Sequence, residues 1–436
     1  MGDVHFFNSP RSAYLHIPFC HRRCFYCDFA VVPLGDNASG ANGPGSSSIK
    51  AYLSLLHREI SLIPQGPPLA TLYIGGGTPS LLTPSQISSL LKHLEAQFGF
   101  QYGAEISLEI DPASFSLNAL EGYMEAGINR FSLGGQSFDD HSLELIGRRH
   151  RKHHLVQSCD WLNEFYKRGR ILSWSLDLLQ NLPGQDLAIW EKELKNAMDT
   201  GVPHLSIYDL SVEPGTVFAR KKSRGELQLP NEDLSAEIMR CTSSVLGRAG
   251  FGRYEISNYA MPGHASRHNR VYWSGSGWWG FGQGATSAPW GERLSRPRTR
   301  DLYQRWIETQ ECFGLDSSLE ANTAKSMALD EQFMVGLRRR EGVDLMLLSK
   351  RWGWSNTQCL EYLNSLRLIW RHAIQSGWLI SQGWRFKLSD PEGMEFSNQV
   401  LIQMLLWWDS LPEDAVAVPS FGELSQKVDD LRLMAG

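Results

Sequence analysis

Residues 14–29 read YLHIPFCHRRCFYCDF, and the rest of the chain is read outward from them. Cys20, Cys24 and Cys27 fall directly after a short apolar run that reads as a strand. Disulfides take cysteines in pairs, so three this close together read instead as metal ligands. A zinc ion needs a fourth ligand to close its tetrahedron, which His16 or His21 could supply. Iron–sulfur clusters are held by thiolates, and a four-iron cluster on three of them keeps one iron open to a small molecule.

Composition narrows the setting. The chain has 436 residues, 42% hydrophobic and 20% charged, ordinary for a globular protein long enough for two or three domains. Lys and Arg number 42 against 47 Asp and Glu, a net charge of −5 that gives no sign of nucleic-acid binding. The 15 tryptophans suit either an ordinary core or a flat conjugated ligand. The opening MGDVHFF is not a secretory signal, and Phe6 stands where a myristoylation signal has Ser or Thr. No apolar run is long enough for a membrane-spanning helix. Cys159, Cys241, Cys312 and Cys359 are scattered and read as ordinary thiols, which implies a reducing, cytoplasmic compartment.

After the cysteines comes a low-complexity insertion at 35–48, GDNASGANGPGSSS, which cannot bury enough apolar surface to fold alone. Then a rhythm begins. Helices are expected over 49–63, from Thr83 (a cap followed by Pro84 and Gln86), over 116–127, up to Lys167, over 186–201 and over 231–249. Strands are expected over 69–74, 105–110, 130–133, 171–179, 204–210 and 254–256. Gly127, Gly201 and Gly250 sit where a helix stops and a strand starts. Such alternation predicts an α/β fold with a parallel sheet and right-handed crossovers, an open or partial barrel with its chemistry at the carboxyl ends of the strands. Beyond Arg300 the pattern turns helical: 321–340, 345–352, 356–374 and 396–408, with a small hairpin over 378–388. The expectation is a barrel domain over 1–299 and a small helical, winged-helix-like domain over 300–436. DNA binding by the latter gets no support from the charge.

The C-x3-C-x2-C spacing on a loop after the first strand resembles the radical S-adenosylmethionine (SAM) superfamily. HIPFC before the site and CDF after it are similar to the family that holds the oxygen-independent coproporphyrinogen III dehydrogenases and the HemW-type heme chaperones. The resemblance implies a partial (β/α)6 barrel, a 4Fe–4S cluster on Cys20, Cys24 and Cys27, and SAM chelated by the open iron.

The strand-end motifs carry the resemblance further. In GGGTPS, residues 75–80, glycines let backbone approach a ligand closely, and the family match makes Gly76, Gly77 and Thr78 binders of the SAM amino group. Glu109, in EIDP, matches the family's ligand-binding glutamate; read alone, it could equally form an ordinary salt bridge. The usual form there is EANP, so Ile110 and Asp111 are departures. Gln136 in LGGQSF, Arg148 twelve residues on and Asp177 in SLDLLQNLPGQ match residues that contact a second SAM in the dehydrogenase. Guanidinium suits a carboxylate, whereas Asp177 alone would pass for a turn residue. Gln180 and Asn181 stand where the family has Tyr and Gly. Tyr14 also matches a cofactor-binding position.

Two features divide the branches. Dehydrogenases carry a fourth cysteine two residues after the third, and here that residue is Phe29. HNRVYW, residues 268–273, is similar to the chaperones' heme motif H-N-x-x-Y-W, and GFGQGATS, residues 280–287, is also similar to that branch. Both features favour the chaperones, with the dehydrogenase as the alternative. The chaperone branch implies heme as a ligand and membrane-bound respiratory proteins as its acceptors, and leaves a homodimer open. His268 is then a candidate axial ligand, with His264 its rival, since neutral imidazole commonly ligates heme iron. A zinc-stabilised binding module fits the cysteines but leaves the strand-end motifs unexplained.

Overall fold

The computed structural model describes residues 9–35, 45–422 and 424. Residues 1–8, read above for targeting signals, 36–44 of the insertion and the last residues of the chain lie outside them.

Six strand–helix units build the first core: β1 (Ser12–Ile17), α1 (Ser46–Leu62), β2 (Leu69–Gly76), α2 (Pro84–Gln97), β3 (Phe100–Ile110), α3 (Leu117–Ala126), β4 (Arg130–Gln136), α4 (Lys152–Lys167), β5 (Ser173–Gln180), α5 (Leu187–Asp199), β6 (His204–Asp209) and α6 (Glu232–Arg248). The caps are those the residues indicate. Thr83 and Gln86 form a capping box, Ser116, Asp186 and Asn231 each accept a backbone N–H, and Gly127 turns left-handed at φ 116°. Strands β1 to β6 are parallel and adjacent in chain order.

Parallel strands covered on both faces usually read as continuous apolar runs. These alternate instead. Leu72, Ile74, Leu108, Phe131, Leu133, Trp174, Leu176, Leu205 and Ile207 point one way and join the core under the helices. Thr71, Tyr73, Ser107, Glu109, Ser132, Ser175, Asp177, Ser206 and Tyr208 fall on the other parity and lie side by side in register, as in Tyr73 beside Ser107 and Asp177 beside Ser206. A polar stripe on the inner face of a barrel marks a wet interior.

The sheet ends differently from the expectation. Residues 254–256 are the reversal between two short strands, β7 (Gly252–Arg253) and β8 (Asn258–Ala260), and both pairings there are antiparallel. Glu255 accepts from the backbone N–H of Ser257 and Arg253 from its side chain donates to Ile256 O, which holds the turn. After α7 (Arg267–Trp273), a further strand, β9 (Trp279–Phe281), joins the opposite edge parallel to β1. Among the described residues the sheet has nine strands, ordered β9-β1-β2-β3-β4-β5-β6-β8-β7. Helix α1 starts at Ser46, so the last serines of the low-complexity stretch are helical.

Helix α8 (Arg300–Phe313) was expected in the second domain, yet Tyr303 and Ile307 are buried in the barrel's core. Its neighbourhood explains this. Glu59 of α1 is fully buried, paired with Arg296 at 2.6 Å and accepting from the Tyr303 hydroxyl, so the chain leaving the barrel is tied back to it. Packing passes from the first core to the second between Leu319 and Leu329. The second core holds α9 (Leu329–Leu337), β10 (Val343–Asp344), α10 (Leu345–Trp352), α11 (Asn356–Ile369), the hairpin β11 (Leu379–Gln382) and β12 (Arg385–Leu388), and α12 (Ser397–Trp408). The expected helix over 321–340 is thus only α9, and that over 356–374 breaks at Trp370. Strand β10 adds a third strand to the hairpin. Among the described residues no helix is long and apolar enough to cross a membrane.

Candidate cluster and SAM site

The carboxyl ends of β1 to β6 surround a cavity of about 500 Å³. Every residue assigned to the cluster or to SAM from the sequence lines it except Tyr14, while the heme candidates His268 and His264 lie elsewhere.

The cysteine loop is fixed by its backbone. Thr78 N–H donates to Phe19 O at 2.7 Å, Leu34 N–H to Cys20 O at 2.8 Å, and Phe25 N–H to Ile146 O at 3.0 Å. Cys20 Sγ receives the Thr78 hydroxyl at 3.5 Å, and Cys24 Sγ lies 3.7 Å from Arg148 Nη1. Burial pushes the Cys20 thiol up to about 12 and raises Cys27 as well, so thiolates here need strong compensating positive charge, which iron supplies. Among the described residues no three His, Cys, Asp or Glu side chains converge as they do on a single ion. A cluster does not need that, because each thiolate holds its own iron. The zinc alternative loses one of its two candidate fourth ligands: both ring nitrogens of His16 are engaged, by Tyr14 Oη at 3.0 Å and Ala30 O at 3.2 Å, while His21 is held through Nδ1, 3.2 Å from Gly35 O. The donor set fits a cluster.

Beside it the glycines make room. Gly76 has φ 119°, and a Cβ there would sit 2.6 Å from the His16 ring. Gly76 N–H and the Tyr73 hydroxyl both donate to Glu109, each at 2.9 Å. Asp177 accepts from the Ser132 hydroxyl at 2.9 and 3.2 Å. Burial raises both acids, Glu109 to about 7 and Asp177 to about 6, and the Asp177 charge adds to the effect on Glu109. Two carboxylates reluctant to ionise, facing one cavity with an arginine, favour a ligand that carries positive charge as well as a carboxylate. SAM has an ammonium, a sulfonium and a carboxylate. Gln136 and Asn181 sit at φ 65° and 64°, at the ends of β4 and β5. Asn tolerates this left-handed conformation, so it can replace the family's glycine at 181. Its amide donates to Asp209 at 2.8 Å.

A pH dependence follows from Glu109. Its carboxyl rises from 4.5 to about 7, so below pH 7 the site without ligand is increasingly protonated. A cationic ligand binds the ionised form and must first expel that proton. SAM affinity is expected to fall by up to tenfold per pH unit below about 7 and to level off above it. Glu109→Gln should flatten the profile while weakening binding. Equilibrium dialysis of SAM across pH checks this, and an unchanged profile in Glu109→Gln contradicts it.

Tyr14 and His268 lie in a second, smaller cavity of about 180 Å³ in the barrel interior, which shares Tyr73, Glu109, Ser132 and Tyr208 with the first. Tyr14 stacks on Tyr73, ring centres 6.2 Å apart. His268, the candidate axial ligand, has partners on both ring nitrogens. It is fully buried, its Nδ1 2.9 Å from the Thr71 hydroxyl, its Nε2 2.8 Å from the Tyr272 hydroxyl, and its ring stacked on Tyr73. Glu105 accepts the backbone N–H groups of Arg267 and His268 at the start of α7, so the motif plugs the amino end of the barrel. His264 is no freer, with Tyr166 Oη and Ser173 Oγ each 3.1 Å from its nitrogens. Tyr73 and Asp111 are the site residues the sequence reading missed. Tyr73 had a signal, its inward parity two residues before Gly75.

Residues 14–195 match the family model of the radical SAM superfamily. A heme chaperone HemW of Synechocystis sp. is 39% identical over 402 residues, covering 90% of this chain and 95% of the relative. The HemW of Escherichia coli is 33% identical over 69% of this chain and 78% of its own. A mitochondrial radical S-adenosyl methionine domain-containing protein 1 of Danio rerio is 30% identical over 76% of this chain and 73% of its own. Among solved structures, the coproporphyrinogen III oxidase of Escherichia coli superposes with a TM-score of 0.71 over 91% of this chain and 90% of that one. At 20% identity this likeness is one of fold.

Proposed function

The chain belongs to the HemW heme chaperone family of the radical SAM superfamily, and from that premise we propose that it binds a 4Fe–4S cluster, SAM and heme and passes the heme to membrane-bound respiratory proteins. The observation that carries the reading is the 39% identity to a curated heme chaperone along nearly the whole of both chains. Cys20, Cys24 and Cys27 hold the cluster. When bound, the cluster supplies an open iron for the SAM amino and carboxylate groups and a one-electron reservoir. Gly76 and Gly77 keep the approach clear, Thr78 donates to Cys20, and Glu109 and Asp177 favour the ligand's positive charge. The protein works in the cytoplasm, and heme binds outside the buried ring of His268.

The alternative is the dehydrogenase, which removes carbon dioxide and hydrogen from two propionates of coproporphyrinogen III. Against it stands Phe29, 56% exposed at the cavity mouth, where that branch has a fourth cysteine. The test is an anaerobic assay of the cluster-loaded protein with SAM, a strong reductant and coproporphyrinogen III. No protoporphyrinogen above background is expected. Efficient turnover would move the assignment to the dehydrogenase.

A further inference from the structure

Arg148 is clamped beside a cluster ligand by an acid that the resemblance does not lead one to expect. Its Nη2 donates to Asp111 Oδ2 and to the Gly134 carbonyl, both at 2.6 Å, and its Nη1 reaches Cys24 Sγ at 3.7 Å. The pair is largely shielded, with side chains 13% and 19% exposed. Asp111 is oriented in turn by Ala113 N–H at 3.2 Å to Oδ1. Besides His21, which acts on it more weakly, the other basic group facing it is His150, whose Nδ1 lies 3.9 Å from Oδ2. Burial and the neighbouring Arg148 pull that imidazole down to about 4, so it brings no charge at neutral pH. The Asp111 carboxylate and the Arg148 guanidinium therefore answer mainly each other.

We propose that Asp111 tunes the reduction potential of the cluster by cancelling most of the Arg148 charge next to Cys24. Hydrogen bonds to ligand sulfurs and nearby charge are the main levers a protein has on such a potential. A cluster gaining an electron becomes more negative, so a bare guanidinium against one of its thiolates favours the reduced state. Asp111 opposes this and holds the potential low. Asn at 111, the usual residue in the family this chain resembles, keeps the shape and drops the charge. The Gly134 carbonyl still anchors Nη2 when Asp111 is neutral, so the guanidinium stays in place. Asp111 is thus a tuning residue that acts through the Arg148 charge. The inference rests on the cluster assignment of the preceding section and deepens it.

The experiment is an anaerobic redox titration followed by electron paramagnetic resonance, without SAM so that ligand contacts to Arg148 do not enter. Four reconstituted full-length proteins are compared: the parent, Asp111→Asn, Arg148→Gln and the double variant, each with iron content measured. Asp111→Asn should favour reduction at least tenfold, a rise of about 59 mV for one electron. Arg148→Gln should lower the midpoint, and the double variant, neutral like the parent pair, should return near the parent. A purely structural role for Asp111 predicts altered stability with no ordered set of midpoints. Full cluster in all four with unmoved midpoints overturns this inference alone. If Asp111→Asn does not hold its cluster, Arg148→Gln decides, and an unchanged or raised midpoint there overturns it equally. A parent that takes up no cluster overturns the proposed function, and this inference with it.

Discussion

Replacing Cys20, Cys24 and Cys27 together by alanine abolishes the cluster. The anaerobically reconstituted parent should carry about four irons per chain with a broad visible band, and the triple variant should carry essentially none. The loss should be complete because, among the described residues, no other cysteine lines the site. Cys159 and Cys359 are buried elsewhere, and Cys312 is exposed at the end of α8. The fold should survive, since the loop is held by backbone bonds such as Phe25 to Ile146 and Leu34 to Cys20, which ignore the side-chain change. Far-ultraviolet circular dichroism of parent and variant should therefore agree. Stoichiometric zinc in the parent, with SAM still bound, would contradict the account.

Gly77→Ala should do nearly as much damage with a single methyl group. An added Cβ would lie 2.6 Å from Phe19 O, 2.9 Å from Pro18 O and 2.9 Å from Cys20 Sγ. Two of these are backbone atoms of the segment that carries Cys20, so no side chain can swing aside. Gly77 N–H also donates to Ile17 O at 2.8 Å, which pins the glycine against β1. Relief requires moving the cysteine loop away from the glycine turn. Overpacking of this kind costs about 1–3 kcal/mol, and here the displaced atoms include a cluster ligand. The expected outcome is a destabilised protein with most of its cluster lost and SAM binding weakened beyond detection. Gly263→Ala is the control: unlike Gly77, Gly263 has no neighbour within 4 Å of an added Cβ, so it should lose stability from its φ of 87° without losing iron. Equal iron in Gly77→Ala and the parent would show that the close approach is not needed.

Much of this was legible before any coordinates, and the reasons are local. Cys20, Cys24 and Cys27, the glycine run at 75–77 and Glu109 each sit at or just beyond the carboxyl end of a strand, so identifying the strands places them together. Caps such as Thr83 with Gln86 and Gly127 depend on neighbouring residues alone, and they were right. What escaped depends on partners distant in sequence. Tyr254 to Ile256 look extended, but whether they form a strand or a reversal is decided by Glu255 and Arg253 folding back on their neighbours. Helix α8 belongs with the barrel because Glu59, far upstream, is buried against Arg296 and Tyr303. His268 sits in a motif that names a ligand, while its helix orientation, set by Glu105 at the helix start, turns the ring toward Thr71 and Tyr73. The Asp111–Arg148 pair joins two β/α units and had no signal beyond an unexpected acid at 111.

The measurement that tests the central claim most directly is a hemin titration of the cluster-loaded protein, followed by the Soret band under anaerobic conditions. The account predicts saturable binding of hemin at a fixed stoichiometry, with a Soret spectrum distinct from that of free hemin. It also predicts that apo-protein of a membrane-bound respiratory cytochrome, added afterwards, takes the heme over. No saturable binding, with the spectrum of free hemin throughout, would contradict it.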